Sequence, residues 1–254
     1  MIECITGEMG SEAINTDVRI YSGQVQFPTM NYNYSLSSTP TITDLSMYNG
    51  IPGDVLTLNR SILDTNITNF HIQLGHLDCN ITDISNTTLQ IQIPELPGGT
   101  DYPLHIHSAL YGYAVIENNS FSVDLGISSI SPSQGSKGGG TILTLNGFGF
   151  DVSGLLSVYV CDYECQIQDS ILTDTIKCVT PVDYTLENET ACNVNISQLQ
   201  GTAMAQSPVN FTYSVSLTPM LKSILPNFGG SGGGTRINIT GQFFFQIMMS
   251  KKVE

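Results

Sequence analysis

Residues 127–150 read ISSISPSQGSKGGGTILTLNGFGF. A short apolar-alternating run (Ile127, Ile130) ends at Ser131-Pro132. Glycines follow at Gly135, Gly138, Gly139 and Gly140, then a second alternating run from Thr141 to Asn146, and Gly147-Phe148-Gly149-Phe150 closes the stretch. Alternation at period two marks a half-buried strand, and clustered glycines mark turns that need positive φ or close backbone approach. The same features recur in residues 221–245, LKSILPNFGGSGGGTRINITGQFFF. There Pro226 stands for Pro132, Gly232-Gly233-Gly234-Thr235 for Gly138 to Thr141, and Gly241 for Gly147. Upstream, residues 42–64 form a degraded copy in which Leu56-Thr57-Leu58-Asn59 matches Leu143-Thr144-Leu145-Asn146. Leu58 and Leu145 are 87 residues apart, Leu145 and Ile239 94, so the chain is a tandem array.

The two best copies, from Pro132 to Phe150 and from Pro226 to Phe244, share proline, glycine triplet and glycine-x-x-phenylalanine in register, each behind an isoleucine-bearing strand. This pattern resembles the IPT/TIG domain, the immunoglobulin-like module of plexins, of the hepatocyte-growth-factor receptor family, of Rel-type transcription factors and of fibrocystin-type ectodomains. The resemblance implies an all-β fold of tandem immunoglobulin-like (E-set) β-sandwich repeats with incomplete terminal repeats. Residues 1–38 read as the C-terminal part of a truncated repeat, 39–124 as a divergent repeat and 125–215 as the best match. Residues 219–245 open a further repeat, and 246–254 form a non-repeat tail that reads as truncation or a gene-model artefact.

With 254 residues the chain can hold two or three sandwiches of roughly 90 residues, each with its own core. Net charge is −14 with only 8 Lys+Arg, which leaves no basic patch to neutralise phosphates and excludes nucleic acid as partner. No apolar run reaches the roughly 20 residues needed to span a bilayer, although the parent protein can still be membrane-anchored. Charged residues are only 12% of the chain, and Asn-x-Ser/Thr occurs at Asn33, Asn59, Asn66, Asn80, Asn86, Asn118, Asn188, Asn195, Asn210 and Asn238. Chance would supply about four such sequons, so the pattern predicts N-glycans and an extracellular, cell-surface location. The start MIECITGEMG carries no basic n-region and no apolar h-region, hence no signal peptide, and the expectation is a piece of a longer protein.

Within 39–124 the alternation predicts strands over residues 55–58, 70–74, 76–81, 88–93, 103–109 and 119–123. Two departures stand out: Arg60 occupies the place of Gly147, which puts a turn there in doubt, and residues 44–50 lack the proline. Within 125–215 strands are predicted at 157–161, 165–168, 175–180, 191–197 and 208–214, the seven-strand count of an immunoglobulin-like sandwich. In residues 1–38, Tyr32 and Tyr34 parallel Phe211 and Tyr213, and the alternating aromatics are expected to face a core.

Of six cysteines, Cys161, Cys165, Cys178 and Cys192 share one repeat and permit three pairings. The resemblance implies Cys165–Cys178, at positions where family members often pair, and its topology then implies Cys161–Cys192 on neighbouring strands of the opposite sheet. Zinc at Cys161-x3-Cys165 is disfavoured because a second closely spaced pair is missing. Cys4 aligns with Cys178 and Cys79 with Cys165. Ile91 occupies the place of a partner for Cys79, which is read as a buried thiol or, failing that, an intermolecular link.

Catalytic signals are weak. His105-x-His107 puts two imidazoles on one strand face, with His71 and His76 in the same repeat. Nothing at suitable spacing announces a third ligand, so His105 and His107 read as solvent-facing residues of an edge strand. Asp101, Asp124, Asp151 and Asp183 lie near strand ends, without the Asp-x-Asp cluster that calcium prefers. The run Gly135 to Thr141 looks like a phosphate loop but leads into a strand, where no helix N-terminus binds phosphate. No cofactor, metal or enzyme is expected. The resemblance implies a non-catalytic ectodomain segment, a glycosylated rod for protein–protein contact at a cell or ciliary surface, its partner unnamed. The alternatives are an accessory binding module of a secreted carbohydrate-active enzyme and a segment of a plexin-like signalling receptor.

Overall fold

The computed structural model describes residues 6–7, 15–61, 64–168, 170–183, 188–198 and 203–242. It divides into two compact units, residues 1–94 with 101–121 and residues 95–100 with 122–254.

The second unit is built on the quoted stretch. Strand Gly126–Ser131 pairs antiparallel with Ile142–Phe148, setting Ile130 opposite Leu145 and Ile127 opposite Gly147, with a bulge between Ile127 and Ser129. The sheet continues through Thr175–Val179, Tyr163–Ile167, Leu156–Val160, Val194–Gln198 and Ala203–Gln206, while Gln134–Ser136, Phe211–Ser214 and Thr190–Cys192 form a second sheet of three strands. The seven-stranded ladder folds over on itself at Tyr163–Ile167. Its first half pairs with Leu156–Val160 and its last two residues with Thr175–Val179. Alternate side chains therefore converge from both flanks on one core, in which Leu143, Leu145, Val158, Ile176, Val194, Ile196 and Phe211 are fully buried.

The first unit repeats the plan. One sheet runs Asn80–Ile84, Thr88–Gln92, Val55–Arg60, Thr41–Leu45, Val115–Ile116; the other runs Asn49–Gly50, Ser120–Val123, Thr100–Ser108, Phe70–Leu74, Leu77–Asp78. Its core holds Leu56, Leu58, Ile72, Leu74, Leu89, Ile91 and Phe121. Where the sequence predicts one strand over 76–81, the chain breaks at Cys79. Leu77–Asp78 stays on Phe70–Leu74, and Asn80–Ile84 crosses to Thr88–Gln92. The predicted strand over 191–197 breaks in the same way at Asn193, Thr190–Cys192 joining Phe211–Ser214 and Val194–Gln198 joining Leu156–Val160. Ala203–Gln206, a strand the alternation did not announce, pairs with Val194–Gln198.

At Gly147 the expected turn is instead the interior of a strand. A Cβ there would stand 2.1 Å from the Gly126 carbonyl oxygen and 2.5 Å from the Phe150 ring. Arg60 takes the equivalent ladder position, opposite Ile42, and is buried. Its Nε donates to the Ser85 carbonyl at 3.0 Å, Nη1 donates to the Asp64 carbonyl at 2.8 Å, and the guanidinium lies 5.6 Å over the Phe70 ring. Burial lowers its pKa, partly offset by Asp64.

Two segments form hairpins without a core. Asn15–Val18 pairs with Met30–Asn33, and among the described residues of 15–38 none is buried. Tyr32 is 44% exposed, so the aromatics expected to face a core do not. Cys4 and the tail beyond residue 242 lie outside the described residues. Met220–Leu225 pairs with Asn238–Gln242 in the register of the second unit's opening hairpin, with the same bulge between Leu221 and Ser223 and Ile224 opposite Ile239. Both hairpins also carry a cis proline, after Ser131 and after Leu225.

Equivalent register with unequal burial makes a controlled test. Leu145→Ala removes a fully buried side chain and should lower stability to urea by about 2–5 kcal/mol. Ile239→Ala, at the same hairpin position but 36% exposed, should change it by less than about 0.5 kcal/mol. Equal effects at both positions would contradict the packing described.

Candidate functional site

Three groups of side chains carry chemistry: the sequon asparagines, the cysteines, and polar groups the fold has buried. Nine of the ten sequon asparagines are exposed and Asn195 is half-buried. Most lie where strands begin or end, because a polar residue with free backbone neighbours suits those positions. Asn80 heads the strand at the margin of its sheet, Asn86 lies in the turn after it, and Asn188 and Asn210 precede strands by one or two residues. Asn59 and Asn195 lie within strands with ladder partners on both sides, and of the two only Asn195 is half-buried, opposite Tyr159 and Gln206 and between the fully buried Val194 and Ile196. At Asn66 the side-chain oxygen accepts from the Thr68 amide at 3.2 Å and the Thr68 hydroxyl at 2.9 Å, so sequon residues bond each other in a local turn.

The four cysteines of the second unit come together as two pairs. The Cα atoms of Cys165 and Cys178 are 5.5 Å apart and those of Cys161 and Cys192 are 4.8 Å apart, both within disulfide reach. Cys165 lies on the strand that changes sheets and Cys178 on its successor. Cys161 and Cys192 are not on neighbouring strands as anticipated. Cys161 follows Leu156–Val160 in a left-handed turn at φ 52, Cys192 ends a strand of the three-stranded sheet, and the Cys161 amide donates to the Asn193 carbonyl at 3.2 Å. Cys79 is unpaired and half-buried, and burial pushes its thiol up to about 11, away from thiolate chemistry.

The phosphate-loop lookalike turns its lysine inward. Lys137 Nζ donates to Asp183 Oδ2 at 2.8 Å, both side chains being less than a tenth exposed, and also to the Asn188 carbonyl and to Thr190 Oγ1 at 3.3 Å. Of the acidic residues noted near strand ends, Asp183 is thus spent on a lysine. Asp151, likewise buried, accepts from the Ser153 amide and hydroxyl, both at 2.9 Å. A third buried polar group, Gln198, gave no sequence signal. Its amide donates to the carbonyls of Gly98 at 2.7 Å and Gly149 at 3.0 Å, and its oxygen accepts from the Asp151 amide at 3.1 Å. Glycine is required at both acceptors: a Cβ on Gly98 would lie 2.5 Å from the Asp124 carbonyl oxygen, and Gly149 has φ +72.

The histidines are placed differently from the expectation. Thr100–Ser108 is a central strand, not an edge, and its register sets His107 opposite His71 and His105 opposite Gln73. His71 Nε2 lies 3.5 Å from Asp78 Oδ1, and the His107 ring meets the edge of Tyr113 at 4.9 Å between centroids.

Two sandwiches of one strand plan, each opened by the same bulged hairpin, define tandem immunoglobulin-like repeats. The family model of the IPT/TIG domain matches residues 40–122 and 125–213, and the chain belongs to this family. It is similar to human Fibrocystin-L, at 32% identity over 234 residues that make up 91% of this chain and 5% of that protein. Mouse Fibrocystin is 27% identical over 249 residues, 89% of this chain and 6% of that protein. The chain therefore spans about a twentieth of the length of these relatives. Among solved structures, the full extracellular region of plexin A4 aligns over 80% of this chain and 18% of its own at 18% identity, with a TM-score of 0.35.

Breaking the buried ion pair from one side tests its role. Lys137→Met leaves the Asp183 carboxylate buried without its cation and should cost about 3–5 kcal/mol in urea unfolding, most of it recovered in Lys137→Met/Asp183→Leu. No recovery in the double variant would show that the lysine acts independently of Asp183.

Tyr213, fully buried, donates its hydroxyl to the Pro181 carbonyl at 2.8 Å. Burial and then Asp183 push its phenol up to about 12, from about 10 in an unfolded chain. Because the folded pKa is the higher, its stabilisation is complete below about pH 10 and is lost as pH rises through about 12. Phenolate absorbance should show a late ionisation step near about pH 12, and Tyr213→Phe should abolish it.

Proposed function

We propose that this chain is a non-catalytic extracellular segment, a rod of IPT/TIG repeats carrying N-glycans and stapled by Cys165–Cys178 and Cys161–Cys192, that makes protein–protein contacts at a cell or ciliary surface. The observation that carries the reading is the sequon set: ten sites where chance gives about four, nine with the asparagine exposed. Cysteine pairs at disulfide distance agree with an oxidising compartment. Membership of the IPT/TIG family and similarity to Fibrocystin-L agree with a repeat segment of a long protein. On this reading the repeats span 39–124 and 125–215, with 1–38 and 219–245 belonging to flanking repeats. No described helix is long and apolar enough to cross a membrane. Net charge −14 keeps nucleic acid off the partner list.

Mass spectrometry of the protein secreted by animal cells, with and without glycosidase and without reduction, tests the reading. Expected are occupied asparagines at most sequons, reduced occupancy at the mid-strand Asn195, and cross-linked peptides joining Cys165 to Cys178 and Cys161 to Cys192. Bare asparagines together with four free thiols would overturn it.

A further inference from the structure

We propose that His71 and His107 form a two-imidazole chelate for a borderline transition-metal ion, Zn²⁺ in the first place, on the outer face of the first unit's six-stranded sheet. His71 lies on Phe70–Leu74 and His107 on Thr100–Ser108, and the two are direct partners across an antiparallel ladder. Their flanking residues Phe70, Ile72, Ile106 and Ser108 are buried, so both imidazoles project from the opposite, outer face. Directly opposed residues hold their Cβ atoms about 4.5–5.5 Å apart, close enough for one ion to bridge two ring nitrogens. The backbone that sets this spacing is internal to the sheet, so it is preformed.

Electrostatics and access favour a cation. Asp78 Oδ1, held by Gln73 Nε2 at 2.9 Å, lies 3.5 Å from His71 Nε2, a carboxylate placed to orient the ring and leave its other nitrogen for the metal. The titratable groups facing the pair are Asp101 and His105 from its own strand, Asp78 from Leu77–Asp78 and Tyr113 from Gly112–Tyr113. No strand of this sheet bears lysine or arginine, and the whole chain carries −14. None bears a sequon asparagine either, so on the proposed reading of the surface the face stays clear of glycans rooted within the sheet. Imidazole nitrogen suits zinc, copper and nickel over calcium and magnesium. Among the described residues no three His, Cys, Asp or Glu side chains converge as a full centre, so the remaining positions of the ion face solvent.

Titration calorimetry of the tag-free chain with zinc chloride, in a non-chelating buffer near about pH 7.5, reads the site directly. One ion per chain is expected. Affinity should fall roughly tenfold or more in His71→Ala and in His107→Ala. His76→Ala, in the turn beside the sheet, should bind like the parent. His71 and His76 are exposed and His107 is half-buried, and circular dichroism verifies folding of each variant. No saturable binding by the parent, or unchanged affinity in His71→Ala/His107→Ala, overturns the proposal. Either result leaves the glycan and disulfide reading untouched.

Discussion

The second unit depends on one strand belonging to two sheets. Tyr163–Ile167 leaves Leu156–Val160 at Cys165 and takes up Thr175–Val179 at Gln166, so backbone hydrogen bonds run unbroken across the seven-stranded ladder from one flank of the core to the other, and the three-stranded sheet stands apart from it. A sandwich whose halves met only through side chains would expose strand margins at every side, each a template for unwanted pairing. Here one margin is closed by the ladder itself, and the Cys165–Cys178 pair sits at the bend, 5.5 Å between Cα atoms. The first unit makes the same crossing with a break at Cys79 and has Ile91 where a partner sulfur would be. Fully buried, Ile91 closes that corner by packing alone.

The opening hairpin shows how the two units solve one steric problem with opposite residues. In the second unit the ladder position opposite Ile127 must be glycine, because the Gly126 carbonyl and the Phe150 ring already fill the space of a Cβ. In the first unit the corresponding place receives an arginine, and its aliphatic stem and guanidinium take up the volume. Burying that charge is tolerable because Nε and Nη1 find carbonyl acceptors and Phe70 offers its ring face. Register survives the exchange because the inward alternation of Leu56 and Leu58 is untouched, and a one-residue slip would turn both outward.

That alternation is why the fold was legible from residues alone. Leu143 and Leu145, Leu56 and Leu58, and the glycine clusters around them announce strand and turn locally. What was not legible is whatever depends on the partner strand. A chain that changes sheets keeps its period of two, so nothing in residues 76–81 or 191–197 reveals the breaks at Cys79 and Asn193. Lys137, set among glycines, looks solvent-exposed, and only the approach of Asp183 from 46 residues away makes it a core group. Gln198 is silent for the same reason, since its partners Gly98 and Gly149 are 100 and 49 residues distant. Of the candidate surface, the sequons are readable as three-residue patterns. That His71 stands opposite His107 is a fact of register, which the spacing His105-x-His107 does not reveal.

Burial of polar groups and exposure of sequons are two consequences of the same composition. With charged residues at 12%, the solvent-facing sides of the strands are covered mainly by Ser, Thr, Asn and Gln, which hydrogen-bond well but repel little. Sheets so covered lack the lysines that ordinarily discourage edge pairing. An exposed asparagine at the head of a margin strand, as at Asn80, stands where such pairing would begin, and a bulky hydrophilic substituent there would block it as a charge does. The strands of the six-stranded sheet in the first unit have no sequon asparagine and no basic residue, and instead gather three of the four histidines. The two strand-borne sequon asparagines of this unit, Asn59 and Asn80, both lie in its five-stranded sheet, whereas Asn66, Asn86 and Asn118 lie in the connections between strands.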